Sequence, residues 1–334
     1  TPKPSSAASD VYKRQVYVQT VGHFAMANTK ALELAGIDWQ TKDPVGGKIY
    51  RDANGDATGV LEETAIELVE AKIPKPTFEE LVTQTIAAQR IYNRAGITST
   101  IDAAMDEEQI RVYFAVAERQ QASVRTGTKW LTRAASSAEF EQSLKAAKFK
   151  DNTGNDWVRT AGIKMFADGG MTLKSAYIKE AYADDPHNHG MLATDPAVYK
   201  ENVRLANRYG WRVGTHVVGD AAVDLALDAY EAADKDKSLK DKRFILIHAS
   251  LITPEQVRRA KKLGVRIDAQ NIFMWDKAAT VERFMGPALA NRAVPTKVLL
   301  DTLGFEGTAA GTDNPVNMLL SLIHISEPTR QEAI

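Results

Sequence analysis

Two hydrophobic rhythms alternate along most of this chain. Residues 77–96 ("TFEELVTQTIAAQRIYNRAG") repeat apolar side chains every three or four positions and stop at Gly96, the pattern of an amphipathic helix. Residues 97–102 ("ITSTID") follow as a short β-prone run. The pair then recurs. Helical patterns at 106–121, 137–148, 195–210, 221–235, 253–264 and 295–304 interleave with strand patterns at 123–133, 157–170, 211–220, 243–250, 265–270 and 307–313. Strands separated by helices predict right-handed βαβ units and a parallel sheet. Seven such strands follow residue 96; eight would close a (β/α)8 barrel, and an open doubly wound sheet shares the same local pattern.

Upstream, residues 16–76 read differently. "NTKALELAG" predicts a short helix with Asn28 or Thr29 as N-cap and Gly36 just past its end. "GGKIYRDANGDATGVL" predicts a β-hairpin turning at Asn54-Gly55, a dipeptide that tolerates positive φ. "EETAIELVEAK" predicts a helix that stops before Pro74. The two ends carry neither rhythm. "SSAASDVYKRQ" and "LIHISEPTRQEAI" resemble translated sequencing-adapter sequence, so residues 1–15 and 321–334 are read as non-native tails and left out of the fold. His324 goes with them, and the natural protein is expected to continue past both ends.

Composition narrows the chemistry. A quarter of the 334 residues are charged and the net charge is −1, as in ordinary soluble globular chains. The balance gives no electrostatic footprint for nucleic acid, and no apolar run approaches the roughly 18 residues of a membrane span. There is no cysteine, so a metal site would have to use His, Asp, Glu or a modified Lys.

Three strands end on a titratable side chain: His216, His248 and Asp313. In a barrel all strand C-termini meet at one mouth, whereas an open sheet spreads them along an edge, so convergence favours the barrel. Lys164 lies within "GIKMF", and strand alternation puts Gly162, Lys164 and Phe166 on one face. A bare ammonium in a barrel interior is costly. Lys164 therefore either reaches the barrel end, pairs with an Asp, or reacts with carbon dioxide to become an anionic carbamate ligand. A lone strand histidine is most often a hydrogen-bonded core residue. Two at successive strand ends with an aspartate further on point instead to a divalent cation, zinc foremost.

"GIKMFADGG", "THVVGDAAVDLALDAYE", "RFILIHAS" and "GTDNPV", in this order, resemble the amidohydrolase superfamily. "GHFAMANTKALELAGID" and "GDATGVLEETA" resemble its amidohydrolase-3 branch, which includes N-substituted formamide deformylases. The resemblance spans nearly all of residues 16–320. It implies an incomplete (β/α)8 TIM-type barrel over residues 77–320, carrying strands two to eight, with an inserted α+β segment at 16–76. It implies one or two divalent metals, zinc foremost, held by Lys164 as a carboxylated lysine and by His216, His248 and Asp313. Asp313 would also handle the proton of the attacking water. His23, in the inserted segment, would face the substrate. The His-x-His pair expected at strand one is absent before "ITSTID". His187 and His189, in "DDPHNHG", follow no apolar strand and are read as part of a mobile lid or substrate loop.

The expected function is hydrolysis of a non-peptide carbon–nitrogen bond in a small amide or N-substituted formamide, by metal-activated water. A deaminase or lactonase on the same barrel, or a non-catalytic small-molecule-binding barrel, are the alternatives. With strand one missing, the chain by itself is expected to bind at most one metal, weakly, and to be inactive. Its open sheet edges would invite aggregation.

Overall fold

In the computed structural model, which describes residues 17–20, 24–44, 47–132 and 134–313, the chain divides into two units at residues 77 and 78. The first contains an antiparallel four-stranded sheet, β1 (Tyr17–Thr20), β2 (Phe24–Ala27), β3 (Gly47–Arg51) and β4 (Ala57–Glu63), in the order β1-β2-β4-β3. Helix α1 (Thr29–Ala35) is capped as its sequence predicts: the Asn28 side chain accepts from the Ala31 N–H at 2.9 Å, and Gly36 closes the end in the left-handed region. The β3–β4 turn is held by the Asp52 carboxylate, which accepts from the Asn54 and Asp56 N–H groups. Gly55 supplies the positive φ. Helix α2 (Ile66–Glu70) is shorter than the predicted 62–72, because β4 runs on to Glu63. Ile49, Leu61, Ile66 and Val69 fill the core of this unit.

The second unit is built on a parallel sheet. Its strands are β5 (Ser99–Met105), β6 (Arg125–Trp130), β7 (Val158–Phe166), β8 (Val213–Val217), β9 (Ile245–His248), β10 (Arg266–Ala269) and β11 (Thr308–Ala310). They lie side by side in chain order, each pair parallel. Helix α3 (Phe78–Arg94) precedes β5, and between the strands run α4 (Glu107–Glu118), α5 (Ser137–Ala146), α6 (Pro196–Arg208), α7 (Asp220–Asp236), α8 (Pro254–Leu263), α9 (Ile272–Arg292) and α10 (Thr296–Gly307). All seven predicted strands are present. Ile163, Val213, Leu246 and Ile267 of the sheet pack with Tyr199, Val203, Val223, Leu227 and Val257 of the helices in the main core. Among the described residues no helix is long and apolar enough to cross a membrane.

The sheet curls. In a flat sheet of this order β6 and β10 would lie four spacings apart, about 19 Å. Yet Lys129 on β6 and Asp268 on β10 sit within each other's electrostatic field, as do Lys164 on β7 and Asp313 beyond β11. The result is a half-barrel of seven parallel strands with a charged interior.

A β-bulge decides what β7 presents to that interior. Thr128 of β6 pairs with Thr160, but Trp130 pairs with Ile163, so two steps along β6 match three along β7. The positions of β7 on the side of Thr126, Thr128 and Trp130, the side Trp130 packs into the helix core, therefore shift from Val158 and Thr160 to Ile163 and Met165. Without the extra residue Lys164 would share the helix-facing parity of Thr160. Gly162 makes the bulge possible with φ +106, and a Cβ there would lie 2.6 Å from the Arg212 carbonyl oxygen. Gly162→Ala is expected to lower stability by about 1–3 kcal/mol or more, measured as a fall in the urea midpoint; an unchanged midpoint would mean that the bulge relaxes without strain.

No element is predicted for residues 271–294, where α9 is found. It is two helices abutting at Gly286, which has φ 78 and ψ 163, ahead of Pro287. Its Ile272, Phe273, Val281, Met285 and Leu289 pack on Met171, Ile178 and Tyr182 of the segment after β7. That segment, expected as a mobile loop, thus has an apolar core of its own.

Candidate active site

The C-terminal ends of β7, β8 and β9 bring Lys164, His216 and His248 together. The two imidazole rings meet edge to face with centroids 4.6 Å apart. His216 follows the alternation of β8: Val213, Thr215 and Val217 face the helices, leaving Gly214 and His216 inside. Its Nε2 lies 3.2 Å from the Gly169 carbonyl oxygen. A carbonyl only accepts, so Nε2 carries the proton and Nδ1 holds the ring's lone pair.

His248 breaks the alternation of β9. Leu246 faces the helices, and strict alternation would send His248 the same way. Instead His248 and Ala249 both take left-handed backbone, φ 73 and 44. Such conformations are costly for residues with a Cβ and concentrate at functional sites. They turn the ring toward His216. Nδ1 then sits 2.5 Å from Gln270 Oε1, so it donates, and Nε2 is the nitrogen with a lone pair for a cation. Phe273 stacks on the ring at 5.7 Å.

Burial and the nearby Lys164 cation hold His248 down to about 3, well below the ordinary imidazole range. Between that value and about 6.5 the unfolded chain binds a proton that the folded chain refuses. The stabilisation is present above pH 6.5 and lost as pH falls toward 3, at up to about 1.4 kcal/mol per pH unit. His248→Gln should flatten this part of the stability–pH curve; an identical slope in the variant would place the proton uptake elsewhere.

Lys164 lies almost fully buried, 7% exposed, with Nζ 5.0 Å from the centre of the Phe166 ring. Phe166 in turn contacts His216, ring centres 5.2 Å apart. Burial lowers the Lys164 ammonium to about 8, against the pull of Asp313 and Asp268. Burial likewise pushes the Asp313 carboxyl up, with Lys164 and Lys277 opposing. Asp313 follows the short strand β11 with φ 52, a left-handed conformation that aspartate tolerates.

Three further residues belong here that the sequence reading passed over. Asp268, raised to about 6 by burial, lies in the field of Lys164, Lys129 and Asp313. Lys129 is 2% exposed and donates to the Ala161 carbonyl at 2.6 Å. Gln270 orients His248. The signal for the first two was the one that singled out Lys164: a charged residue inside an apolar strand, in "RTGTKW" and "VRIDAQ". Asp168 is a clamp beside the site. Its carboxylate accepts from the N–H groups of Val218, Gly219 and Tyr177 at 2.8–2.9 Å, tying the segment after β7 to the end of β8.

His187 and His189 stay within their own segment. The His187 N–H donates to Asp185, and the His189 ring contacts the Ile178 carbonyl. His23 lies outside the described residues. Among the described residues no three His, Asp or Glu side chains converge tightly enough to hold a metal ion. The His216–His248 pair, with lone-pair nitrogens set by Gly169 and Gln270, fits two ligands of a borderline divalent cation.

Residues 9–325 match the amidohydrolase family. The protein LONG AFTER FAR-RED 3 of Arabidopsis thaliana is 30% identical over 88% of this chain and 51% of its own length. N-substituted formamide deformylase of Arthrobacter pascens is 24% identical over 74% of this chain and 46% of its own. The crystal structure of an uncharacterized metal-dependent hydrolase from Pyrococcus furiosus superimposes with a TM-score of 0.71, at 25% identity, covering 94% of this chain and 62% of that one. The chain spans about half the length of the two sequence relatives. A family match running through both units, and a solved hydrolase with the same fold, lead to one conclusion: the chain belongs to the amidohydrolase family.

Proposed function

We propose that this chain carries the catalytic barrel of a metal-dependent hydrolase that cleaves a non-peptide carbon–nitrogen bond, in an amide or an N-substituted formamide. The supporting observation is the pair of oriented imidazoles, 4.6 Å apart, beside a buried Lys164 in the field of two carboxylates. The similarity to the formamide deformylase points toward the same bond. The seven strands fit strands two to eight of a (β/α)8 barrel.

In this reading His216 and His248 hold a divalent cation, zinc by donor type, with Lys164 and Asp313 as its oxygen-bearing neighbours. A lysine lowered to about 8 exposes its neutral amine more often than a free one. The amine adds to carbon dioxide, forming the N–C bond of a carbamate and releasing one proton. The cation, when bound, lowers the pKa of water to about 7 and polarises a carbonyl. Asp313 takes the proton of the attacking water and delivers it to the leaving nitrogen as the carbon–nitrogen bond breaks. Phe166 and Phe273 shield the imidazoles from bulk water. Gln270 keeps His248 in the tautomer that leaves Nε2 as donor.

The test has two readouts. Zinc binding to this chain is measured by titration with an indicator, with at most one weakly held ion expected and lost in His216→Ala. Hydrolysis is followed in a form extended to the length of its relatives, on formanilides, lactones and aminated heterocycles side by side. Release of amine from formanilides alone supports the reading. Preference for lactones or aminated heterocycles reassigns the reaction, and absence of both zinc and turnover removes it.

A further inference from the structure

We infer that Lys129 is a positioning residue: its ammonium, bonded to the carbonyl of Ala161, holds the β7 bulge that turns Lys164 into the barrel interior. The inference rests on the proposed function only in taking Lys164 as the side chain being aimed.

The observations are geometric. The register between β6 and β7 slips between the Thr128–Thr160 and Trp130–Ile163 pairs, so Lys129 is the β6 residue opposite the bulge. Its side chain runs along the interior of the sheet, 2% exposed, and Nζ donates to Ala161 at 2.6 Å. Ala161 immediately precedes Gly162, whose φ of +106 carries the bulge. The far side of the bulge is fixed by β8, where the Ile163 N–H donates to the Arg212 carbonyl at 2.8 Å. The bulge is thus gripped from both neighbouring strands, by main chain on one side and by the lysine on the other.

A second glycine makes room for this. Gly214 of β8 lies beneath the Lys129 side chain, and a Cβ there would come within 2.9 Å of Cε and 3.1 Å of Nζ. The close neighbour is the flexible end of a side chain, not backbone. A methyl group at position 214 would therefore push the lysine off the carbonyl while leaving the strand in place. A buried ammonium is expensive and normally needs a specific reason. Here it satisfies a carbonyl at the point where the ladder is out of register, which is where a bulge re-aims a side chain.

The experiment compares Lys129→Met and Gly214→Ala with the unaltered chain. NMR reads amide exchange at Ile163 and the side-chain 15Nζ resonance of Lys164, neither of which needs metal or substrate. Both variants should speed Ile163 exchange at least tenfold relative to Leu246 on β9, and should move the Lys164 resonance. Methylammonium added to Lys129→Ala should restore both, as a purely structural loss of packing would not allow. Zinc retention should drop to the level of Lys164→Ala. If only the melting temperature changes, while the Ile163 exchange ratio and the Lys164 resonance match the unaltered chain, Lys129 is a structural residue and the inference is overturned. Should Lys129→Met fail to fold, Gly214→Ala decides alone. Zinc absent from the unaltered chain counts against the proposed function, and the two NMR readouts still settle the role of Lys129.

Discussion

Asp313→Asn is expected to leave the fold and most bound metal intact and to remove nearly all turnover, about 10² to 10⁴ in kcat. The substitution is nearly isosteric, and asparagine accepts the left-handed backbone of this position as readily as aspartate. What disappears is the basic oxygen. An amide cannot take the proton of the attacking water, nor return it to the leaving nitrogen. One of the two carboxylates acting on Lys164 goes as well, and it is the one that pulls harder to keep that ammonium charged. The measurement is steady-state kinetics on a formanilide in a form extended to the length of the relatives, with circular dichroism on both proteins. A variant with kcat close to the parent's would assign the general base to another residue, and Asp268 is the neighbouring carboxyl to examine next.

Lys164→Ala separates two states of the lysine by the sign of its effect on metal. If Lys164 is an ammonium, it repels a cation beside His216 and His248, and removing it should tighten zinc binding. If it is a carbamate, its loss removes an anionic ligand. Affinity should then fall at least as far as the 10–100-fold that loss of an outer hydrogen-bond partner of a ligand costs. The carbamate is expected, so zinc affinity should fall, and formate or acetate should restore part of it by occupying the vacated space. Titration with a zinc indicator reads both effects. Tighter zinc in the variant, with no response to carboxylate, would return Lys164 to the role of a counter-ion for Asp268 and Asp313. Where Lys164 is an ammonium, the variant should also be less stable, because two buried carboxyls lose their near cation.

Much of the fold was legible because its signals are local. The helix stop at Gly36, the cap at Asn28 and the turn at Asn54-Gly55 each depend on a few adjacent residues, and each is where the pattern put it. The α9 region was not legible. Gly286-Pro287 reads as a break, and the apolar residues around it form no clean stripe, because they face a loop core and not the sheet. The fold of the segment after β7 is hidden from its sequence for a related reason. Its Ala176, Ile178 and Tyr182 are buried against α9 and the ends of β8 and β9, a packing that no period in the segment announces. Alternation counted from Gly162 names the right face for Lys164, but counted from the start of β7 it gives the wrong one, as it does along β9 for His248. It assumes unbroken β backbone, and φ 73 at His248 is set by what the ring meets, not by the residues beside it.

The sequence by itself determined the order of the elements, the parallel sense of the main sheet and the presence of titratable groups at its strand ends. Periodicity, turn residues and chain connectivity are enough for these, since each is a near-neighbour effect. Only the tertiary structure decided which of those groups act on one another. Lys129 reaches Asp268's field because the sheet curls; Lys164 faces inward because β7 carries one residue more than β6; His248 presents Nε2 because Gln270, 22 residues away, takes its other nitrogen. Register, curl and tautomer follow from the whole set of packed side chains, and no short stretch of the chain contains that information.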